Sequence, residues 1–324
     1  MKILNNFYER LGHWPNIWLI IALVITLVSW PQMPTSSATD LGSLPKLPLP
    51  GVVADYTNWE VVPTLDELEL SSLSALVVKL PSGEIVGALE PELELPIASL
   101  TKLMTSVITL ESKINLDSPV TITATDNSLL SSPYIKAGDK ISLLQVKDGE
   151  QVTLRNLLGA TLVGSANNAA SALASFTGKN QTEFVRLMNE RAAVLGMSST
   201  YYTEATGLDP ANISTAYDLA IIGRYAWQNK LLREFSGKKQ INFTTLDGKP
   251  HKINNTNSLL LQPQINFTPR ASKTGYLEEA GYNLIFQFRL RRGGEYLLVL
   301  LNAPTLEDRS ADVLKVVSWL LLRT

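Results

Sequence analysis

The feature that most restricts how this chain can fold is a pair of strongly apolar segments near its C-terminal end. Residues 282–303 read YNLIFQFRL-RRGG-EYLLVLLNA, which predicts two buried strands joined by a glycine-containing turn. A similar hairpin is predicted over residues 74–90, SALVVKL-PSG-EIVGALE. Helical patterns dominate between the hairpins, and residues 309–323 predict a closing helix. Strands at both ends with helices between them predict an α+β fold, an antiparallel β-sheet with a helical insertion.

The N-terminal part contains a candidate membrane segment. Residues 16–30, NIWLIIALVITLVSW, carry no charge and follow a stretch that contains Lys2 and Arg10. We interpret residues 1–30 as a short cytoplasmic stub and a membrane signal anchor. The alternative is a signal peptide cleaved near residues 36–38, which makes the protein secreted. Both interpretations place the rest of the chain outside the cytoplasm.

A tether follows the candidate anchor. Proline and serine are frequent over residues 31–50, PQMPTSSATDLGSLPKLPLP, a composition typical of an extended linker. We therefore interpret residues 31–70 as a Pro-rich linker and lead-in, and residues 71–324 as one folded domain.

Charge and rare residue types exclude several functions. The 324 residues carry a formal net charge of −2, which gives no indication of a nucleic-acid partner. There are no cysteines, so disulfides, thiolate catalysis and cysteine-based zinc sites are excluded. The histidines are His13, in the membrane flank, and His251, in a polar stretch that we interpret as a solvated loop. They do not favour a Ser-His-Asp triad, and we predict neither a metal nor a cofactor.

One serine is placed where a lysine can activate it. Ser99 and Lys102, in residues 94–111 (ELPIASLTKLMTSVITLE), open a segment whose apolar residues repeat at the spacing of one helix face. Ser99 is therefore predicted near a helix N-terminus, with Lys102 one turn further on the same side. A serine is a weak nucleophile until a base takes its proton, and a lysine held neutral is such a base.

Two further motifs contain residues of related chemistry. Ser165-Ala166-Asn167 lies at a predicted break between two helices, and Lys273-Thr274-Gly275 lies just before the C-terminal hairpin. A second lysine near Lys102 favours its neutral form, and Gly275 lets a substrate backbone lie against a strand edge. Ser-x-x-Lys, Ser-x-Asn and Lys-Thr-Gly elements in this order are typical of β-lactamases and penicillin-binding proteins.

On these motifs, the sequence resembles the low-molecular-weight penicillin-binding proteins, which are D-alanyl-D-alanine carboxypeptidases and endopeptidases. The resemblance extends from about residue 74 to the C-terminus and includes LVGSANNAASALA, FVRLMNERAAVLGM, NTNSLL and SKTGYLEEAGYNL. It implies an antiparallel sheet flanked by helices with a helical subdomain, and a site in the cleft between them. Residues 71–324 are then expected to be a serine DD-peptidase domain that acts on peptidoglycan stem peptides and is inhibited by penicillins.

The resemblance also implies a role for each motif residue. Ser99 is expected to be the acylated nucleophile, Lys102 to accept its proton, and Ser165 to relay a proton to the leaving amine. Asn167 is expected to hold a substrate amide, and the backbone N–H groups of Ser99 and Tyr276 to form the oxyanion hole. The other substrate-binding residues are Lys273, which supplies positive potential, Gly275, and Thr274 and Arg309, which meet the substrate carboxylate. Arg309 has an alternative interpretation as a solvated residue at a helix start.

Other functions stay open on the sequence alone. A serine β-lactamase is disfavoured because no Glu-x-x-Leu-Asn segment lies between Ser165 and Lys273. A catalytically idle cell-wall binding or scaffold protein is the second alternative. The sequence ends at Thr324 soon after the closing helix, and short family members of this kind include endopeptidases. This shifts the expectation toward cross-link cleavage without separating it from removal of a terminal D-alanine.

Overall fold

The computed structural model describes residues 63–128, 134–135, 141–261 and 263–323. The segment predicted as a membrane anchor and most of the predicted linker lie outside these residues. Within them, no helix has both the length and the apolar composition needed to cross a bilayer.

Strands and helices follow one another along the described residues. The strands are β1 Ser74–Leu80, β2 Ile85–Leu89, β3 Leu95–Pro96, β4 Pro119–Thr121, β5 Gln151–Thr153, β6 Ile213–Ser214, β7 Gln240–Thr244, β8 Pro250–Asn254, β9 Phe267–Leu277, β10 Gly281–Leu290 and β11 Glu295–Ala303. The helices are α1 Lys102–Glu111, α2 Ala124–Asn127, α3 Leu154–Val163, α4 Asn167–Phe176, α5 Gln181–Leu195, α6 Ala216–Gln228, α7 Lys230–Gly237, α8 Ser258–Leu261 and α9 Leu306–Arg323. Short 3-10 turns are formed by Asp66–Leu68 and Ala98–Thr101.

Five strands build the central antiparallel sheet, in the order β2-β1-β11-β10-β9. β1 pairs with β11 from Ser74↔Leu301 to Leu80↔Glu295, which joins the N-terminal hairpin to the C-terminal one. The prediction of an antiparallel sheet formed by both ends of the chain is confirmed. β9 stands at one edge of this sheet, beside the Ala98–Thr101 turn.

Both faces of the sheet are buried, which explains why β1, β10 and β11 are rich in apolar residues. On β1, Leu76 and Val78 pack into a hydrophobic cluster with α1, α3, α4 and α6. Ala75 and Val77 point to the opposite face, where α9 covers the sheet. The predicted architecture, a sheet flanked by helices with a helical subdomain inserted between the hairpins, is confirmed.

The helical subdomain has strong local signals. The Asn180 side chain caps α5 by accepting from the Glu183 N–H, and Gly196, with φ 80°, ends it. Thr215 caps α6 by accepting from the Asp218 N–H. α3 and α4 are interrupted at residues 164–166, as the sequence predicts.

The prediction of a solvated loop around His251 is wrong. β7 and β8 form a hairpin in which His251 stacks on Phe243, with ring centroids 5.3 Å apart. Ile241 is 8% exposed and packs against α3 at Gly159, so one face of the hairpin is covered. The other face is exposed, and its polar residues hide the strands in the sequence.

Candidate active site

Ser99 lies in the turn that precedes α1. The 3-10 turn Ala98–Thr101 continues directly into α1, and Lys102 is the first residue of that helix. Ala98 has a left-handed backbone, φ 48°, which is uncommon for a residue with a Cβ. Leu100 is buried on the inner side of the turn, whereas the half-buried Ser99 lines a cleft.

Lys102 is completely buried, and its amine is surrounded by three oxygen atoms. Nζ lies 2.8 Å from Ser99 Oγ and 2.7 Å from Asn167 Oδ1, and it also donates to the Thr206 carbonyl oxygen. The amide and carbonyl oxygens can only accept hydrogen bonds, whereas the serine hydroxyl can also donate one. In the neutral amine, the two N–H bonds therefore go to Asn167 and Thr206, and the lone pair faces the Ser99 hydroxyl.

Burial makes this amine easy to deprotonate. Loss of hydration lowers the pKa of Lys102 from 10.5 to about 7, and the negative charge of Glu204 acts in the opposite direction. A large fraction of Lys102 is therefore neutral near pH 7, as a base for Ser99 requires.

The Ser165-Ala166-Asn167 motif lies between α3 and α4. Ser165 has φ 57°, and its Oγ accepts a hydrogen bond of 2.7 Å from Lys273 Nζ. Asn167 Nδ2 donates to the Ser142 carbonyl oxygen at 3.1 Å, which directs Asn167 Oδ1 toward Lys102. The helix break thus connects the two lysines of the predicted site.

Lys273 lies on β9, the edge strand beside the Ala98–Thr101 turn. It is 1% exposed, and Nζ donates to the Thr274 carbonyl oxygen at 2.8 Å as well as to Ser165. Burial, followed by the positive charges of Lys102 and Arg309, lowers the pKa of Lys273 well below its ordinary value. A bound anion favours protonation of such a lysine, because its negative charge compensates both the lost hydration and the neighbouring positive charges.

Gly275 is required by the close approach of β9 to the Ala98–Thr101 turn. A Cβ on Gly275 would lie 2.7 Å from the Ile97 carbonyl oxygen and 3.2 Å from the Ser99 nitrogen. Only glycine leaves room for this contact, which brings the backbone that leads into Tyr276 beside the Ser99 N–H. Gly207, with φ 81°, approaches the other side of the turn, where a Cβ would overlap the Ala98 carbonyl oxygen.

Arg309, in the first turn of α9, lines the same cleft. Its side chain is 2% exposed, so its interpretation as a solvated residue is wrong. Nη1 lies 3.5 Å from the Asn283 carbonyl oxygen, while Nε and Nη2 are buried and have no hydrogen-bond partner among the described residues. Burial lowers the pKa of Arg309 to about 10, so the group is still charged at neutral pH. Buried N–H groups of a cation without partners indicate a place for an anion.

One cleft collects the residues that the sequence singles out. It is lined by Ser99, Ser165, Asn167, Thr274, Gly275, Tyr276 and Arg309. Lys102 and Lys273 are buried next to it and are hydrogen-bonded to Ser99 and Ser165, respectively. Across the described ranges, no group of three or more His, Asp or Glu side chains is arranged to hold a metal ion.

Three contributors to the site are missed by the sequence analysis. Thr256 Oγ1 lies 2.6 Å from Thr274 Oγ1, and Ser142 offers the carbonyl oxygen that orients Asn167. Glu204 organises the loop that holds Lys102. Thr256 stands in the family-like segment NTNSLL, which is a usable signal, but a backbone carbonyl such as that of Ser142 has no signature in residue type.

A sheet covered by helices on both faces, with a serine and a buried lysine in the cleft at its edge, is typical of the penicillin-binding proteins and serine β-lactamases. The family model described as D-alanyl-D-alanine carboxypeptidase matches residues 61–305, and the chain belongs to this family.

Individual relatives agree with this assignment. Over 258 residues, the chain is 34% identical to a D-alanyl-D-alanine endopeptidase of Pseudomonas aeruginosa, and the match covers 78% of each protein. It is 28% identical over 267 residues to the D-alanyl-D-alanine carboxypeptidase DacF of Bacillus subtilis, with 78% of this chain and 63% of the relative covered. The solved structure of the Streptomyces K15 DD-transpeptidase matches with a TM-score of 0.71 at 26% identity, covering 77% of this chain and 97% of that one.

Proposed function

We propose that the chain is a serine-type D-alanyl-D-alanine carboxypeptidase or endopeptidase that cleaves peptidoglycan stem peptides through an acyl-enzyme on Ser99. The observation that carries this proposal is the fully buried Lys102 amine, whose Nζ lies 2.8 Å from Ser99 Oγ. Membership of the D-alanyl-D-alanine carboxypeptidase family supports the substrate class.

In the proposed acylation, neutral Lys102 takes the Ser99 proton while Oγ attacks the carbonyl carbon of the scissile D-alanyl bond. The carbonyl oxygen gains negative charge, which the backbone N–H groups of Ser99 and Tyr276 stabilise. The tight approach of Gly275 to the Ser99 nitrogen supports this pairing, because it brings the two backbone segments together. The product is an ester between Ser99 and the acyl half of the substrate, which water then hydrolyses.

The leaving amine needs a proton, and Ser165 is the proposed relay. Its hydroxyl lines the cleft and is hydrogen-bonded to Lys273 Nζ, so a proton given to the amine can be replaced from the lysine side. Asn167 keeps one amide hydrogen beyond the bond to Ser142, and this hydrogen is available for a substrate amide.

The proposed carboxylate site lies where β9 and α9 border the cleft. Thr274 and Arg309 line it, and Lys273 is buried next to it. A substrate carboxylate here gives Arg309 Nε and Nη2 the partners that they lack in the described part of the chain, and its charge favours protonated Lys273. A terminal D-Ala-D-Ala and a D-alanyl cross-link both have a carboxylate next to the scissile amide, so the site suits either reaction.

Defined muropeptides test this function. Purified wild type and Ser99→Ala are incubated with a pentapeptide monomer and with a cross-linked dimer, and products are identified by mass. Loss of one D-alanine from the monomer indicates a carboxypeptidase, and conversion of the dimer into monomers indicates an endopeptidase. No product with wild type, or equal product with Ser99→Ala, contradicts the proposal.

The same assay separates the other functions. A penicillin is expected to acylate Ser99 and to stay bound far longer than the peptide acyl group. Rapid penicillin hydrolysis indicates a β-lactamase instead, and absence of any turnover indicates a binding or scaffold protein.

We also propose that residues 1–30 anchor the enzyme in the cell membrane and that residues 31–70 tether the catalytic domain outside the cytoplasm. The uncharged run at 16–30 and the Pro-rich composition after it support this location. Cell fractionation with an antibody tests it, and the expected result is enzyme in the membrane fraction that added protease can reach. Recovery from the medium supports cleavage near residues 36–38.

A further inference from the structure

A glutamate outside the predicted motifs organises the loop that reaches Lys102. Glu204 lies between α5 and β6, and its Oε2 accepts the Thr206 N–H at 2.6 Å and the Thr206 hydroxyl at 2.5 Å. Its Oε1 accepts from the N–H groups of Gly207 and Leu208 and from Asn212 Nδ2, the last at 2.8 Å. One carboxylate therefore fixes the backbone on both sides of the Thr206 carbonyl group.

This loop contacts the Ala98–Thr101 turn directly. The Thr206 carbonyl oxygen accepts from Lys102 Nζ, which is one of the contacts that leave the lone pair facing Ser99. Asn212 Nδ2 also donates to Thr101 Oγ1 at 3.1 Å, and Thr101 Oγ1 donates to the Ala98 carbonyl oxygen at 2.8 Å. A displaced Glu204 carboxylate would therefore disturb the orientation of the amine and the turn that presents Ser99.

We propose that Glu204 is a positioning residue for Lys102, which holds the Thr206 carbonyl oxygen on the amine and supplies a nearby negative charge. The inference rests on the proposed function, in which Lys102 is the base. Loss of the charge would make Lys102 easier to deprotonate but also a weaker base, since Glu204 favours the protonated amine.

Other charged groups act on the same amine or on the same loop. Within the site, burial and the positive charges of Lys102 and of Arg309 on α9 lower the pKa of Lys273 on β9. On the loop, Asp209 accepts from the Thr203 hydroxyl at 2.8 Å, and Tyr134 interacts with both Asp209 and Glu204. Glu204 is the acidic group whose charge acts on Lys102 itself, so its removal is the informative change.

The test uses the full chain and the rate of acylation by a fluorescent penicillin between pH 5.5 and 9. In wild type, the rate at pH 6 is expected to be about a tenth of that at pH 8, since the Lys102 pKa is about 7. In Glu204→Gln the acid limb, the low-pH part of the profile where the rate falls, should move down by about one pH unit, which raises the ratio of the rates at pH 6 and pH 8 about fivefold. The plateau rate, reached at high pH, should fall about tenfold. Glu190→Gln, which removes a carboxylate that pairs with Arg186 on α5, is the matched control and should behave as wild type.

Glu204→Asp separates charge from position, because it keeps the charge on a shorter side chain. The acid limb should stay at the wild-type pH while the plateau rate falls, and a wild-type plateau would overturn the positioning role even where Glu204→Gln does not fold. An unshifted acid limb in folded Glu204→Gln, or equal shifts in both variants, would overturn the role of the charge. Normal acylation by Lys102→Ala would instead overturn the proposed function, so the two failures are distinguishable.

Discussion

Arg309 gives the sharpest test of how the cleft selects its substrate. The guanidinium is 2% exposed and charged, and Nε and Nη2 have no partner within the described residues. A carboxylate placed there forms a charge-assisted hydrogen bond, which contributes about 1.5–3 kcal/mol. If this bond is kept in the transition state, its loss lowers the rate about tenfold to a hundredfold. Arg309→Met, which fills much of the same space without charge, should therefore lower kcat/KM by about this factor on a free-acid peptide.

The assay compares a peptide that ends in D-Ala-D-Ala with its C-terminal amide. Arg309→Met should change kcat/KM for the amide little, because the amide offers no charge to the guanidinium. Arg289→Met is the matched control, since Arg289 is exposed near the other end of β10 and should leave both substrates unaffected. Equal losses on acid and amide would refute the reasoning and show that Arg309 acts only through packing of α9.

The remaining predictions concern the base and the backbone around it. Lys102→Ala should fold but lose about 10²–10⁴-fold in penicillin acylation, and a near-normal rate at pH 7 would exclude Lys102 as the base. For wild type, the acylation rate should rise with pH through about 7, because only neutral Lys102 accepts the proton, and a rate that falls over this range would contradict the lowered Lys102 pKa. Gly275→Ala should lower the acylation rate about tenfold or more, because its Cβ would push β9 away from the Ile97 carbonyl oxygen. Unchanged kinetics with an unchanged Tm would show that this contact can relax.

Much of the site is predictable because local geometry places its residues. Three-residue spacing at a helix start brings Lys102 Nζ to Ser99 Oγ, and the break at Gly164 places Ser165 between two helices. Gly275, two residues after Lys273 and just before an apolar hairpin, marks the strand edge that approaches Ser99. The hairpins at both ends of the chain likewise predict the antiparallel sheet, because such strongly apolar strands need burial on both faces.

The parts of the site and of the fold that the sequence does not predict depend on contacts between distant segments. The Thr206 carbonyl oxygen holds Lys102 from 104 residues further along the chain, and no residue type marks a backbone carbonyl. Arg309 is compatible with a solvated helix start until α9 packs on the sheet and buries it. The strands β7 and β8 are hidden because half of their residues face solvent and are polar.

The central claim is that Ser99 is the residue that becomes acylated. Labelled penicillin, followed by proteolysis and mass spectrometry, identifies the modified serine directly. Ser236 also stands three residues before a lysine, but it is buried and hydrogen-bonded to Trp227 Nε1, so Ser236→Ala is the matched control. We expect the label on Ser99 in wild type and in Ser236→Ala, and no label in Ser99→Ala. Label on any other residue, or full labelling of Ser99→Ala, would contradict the account.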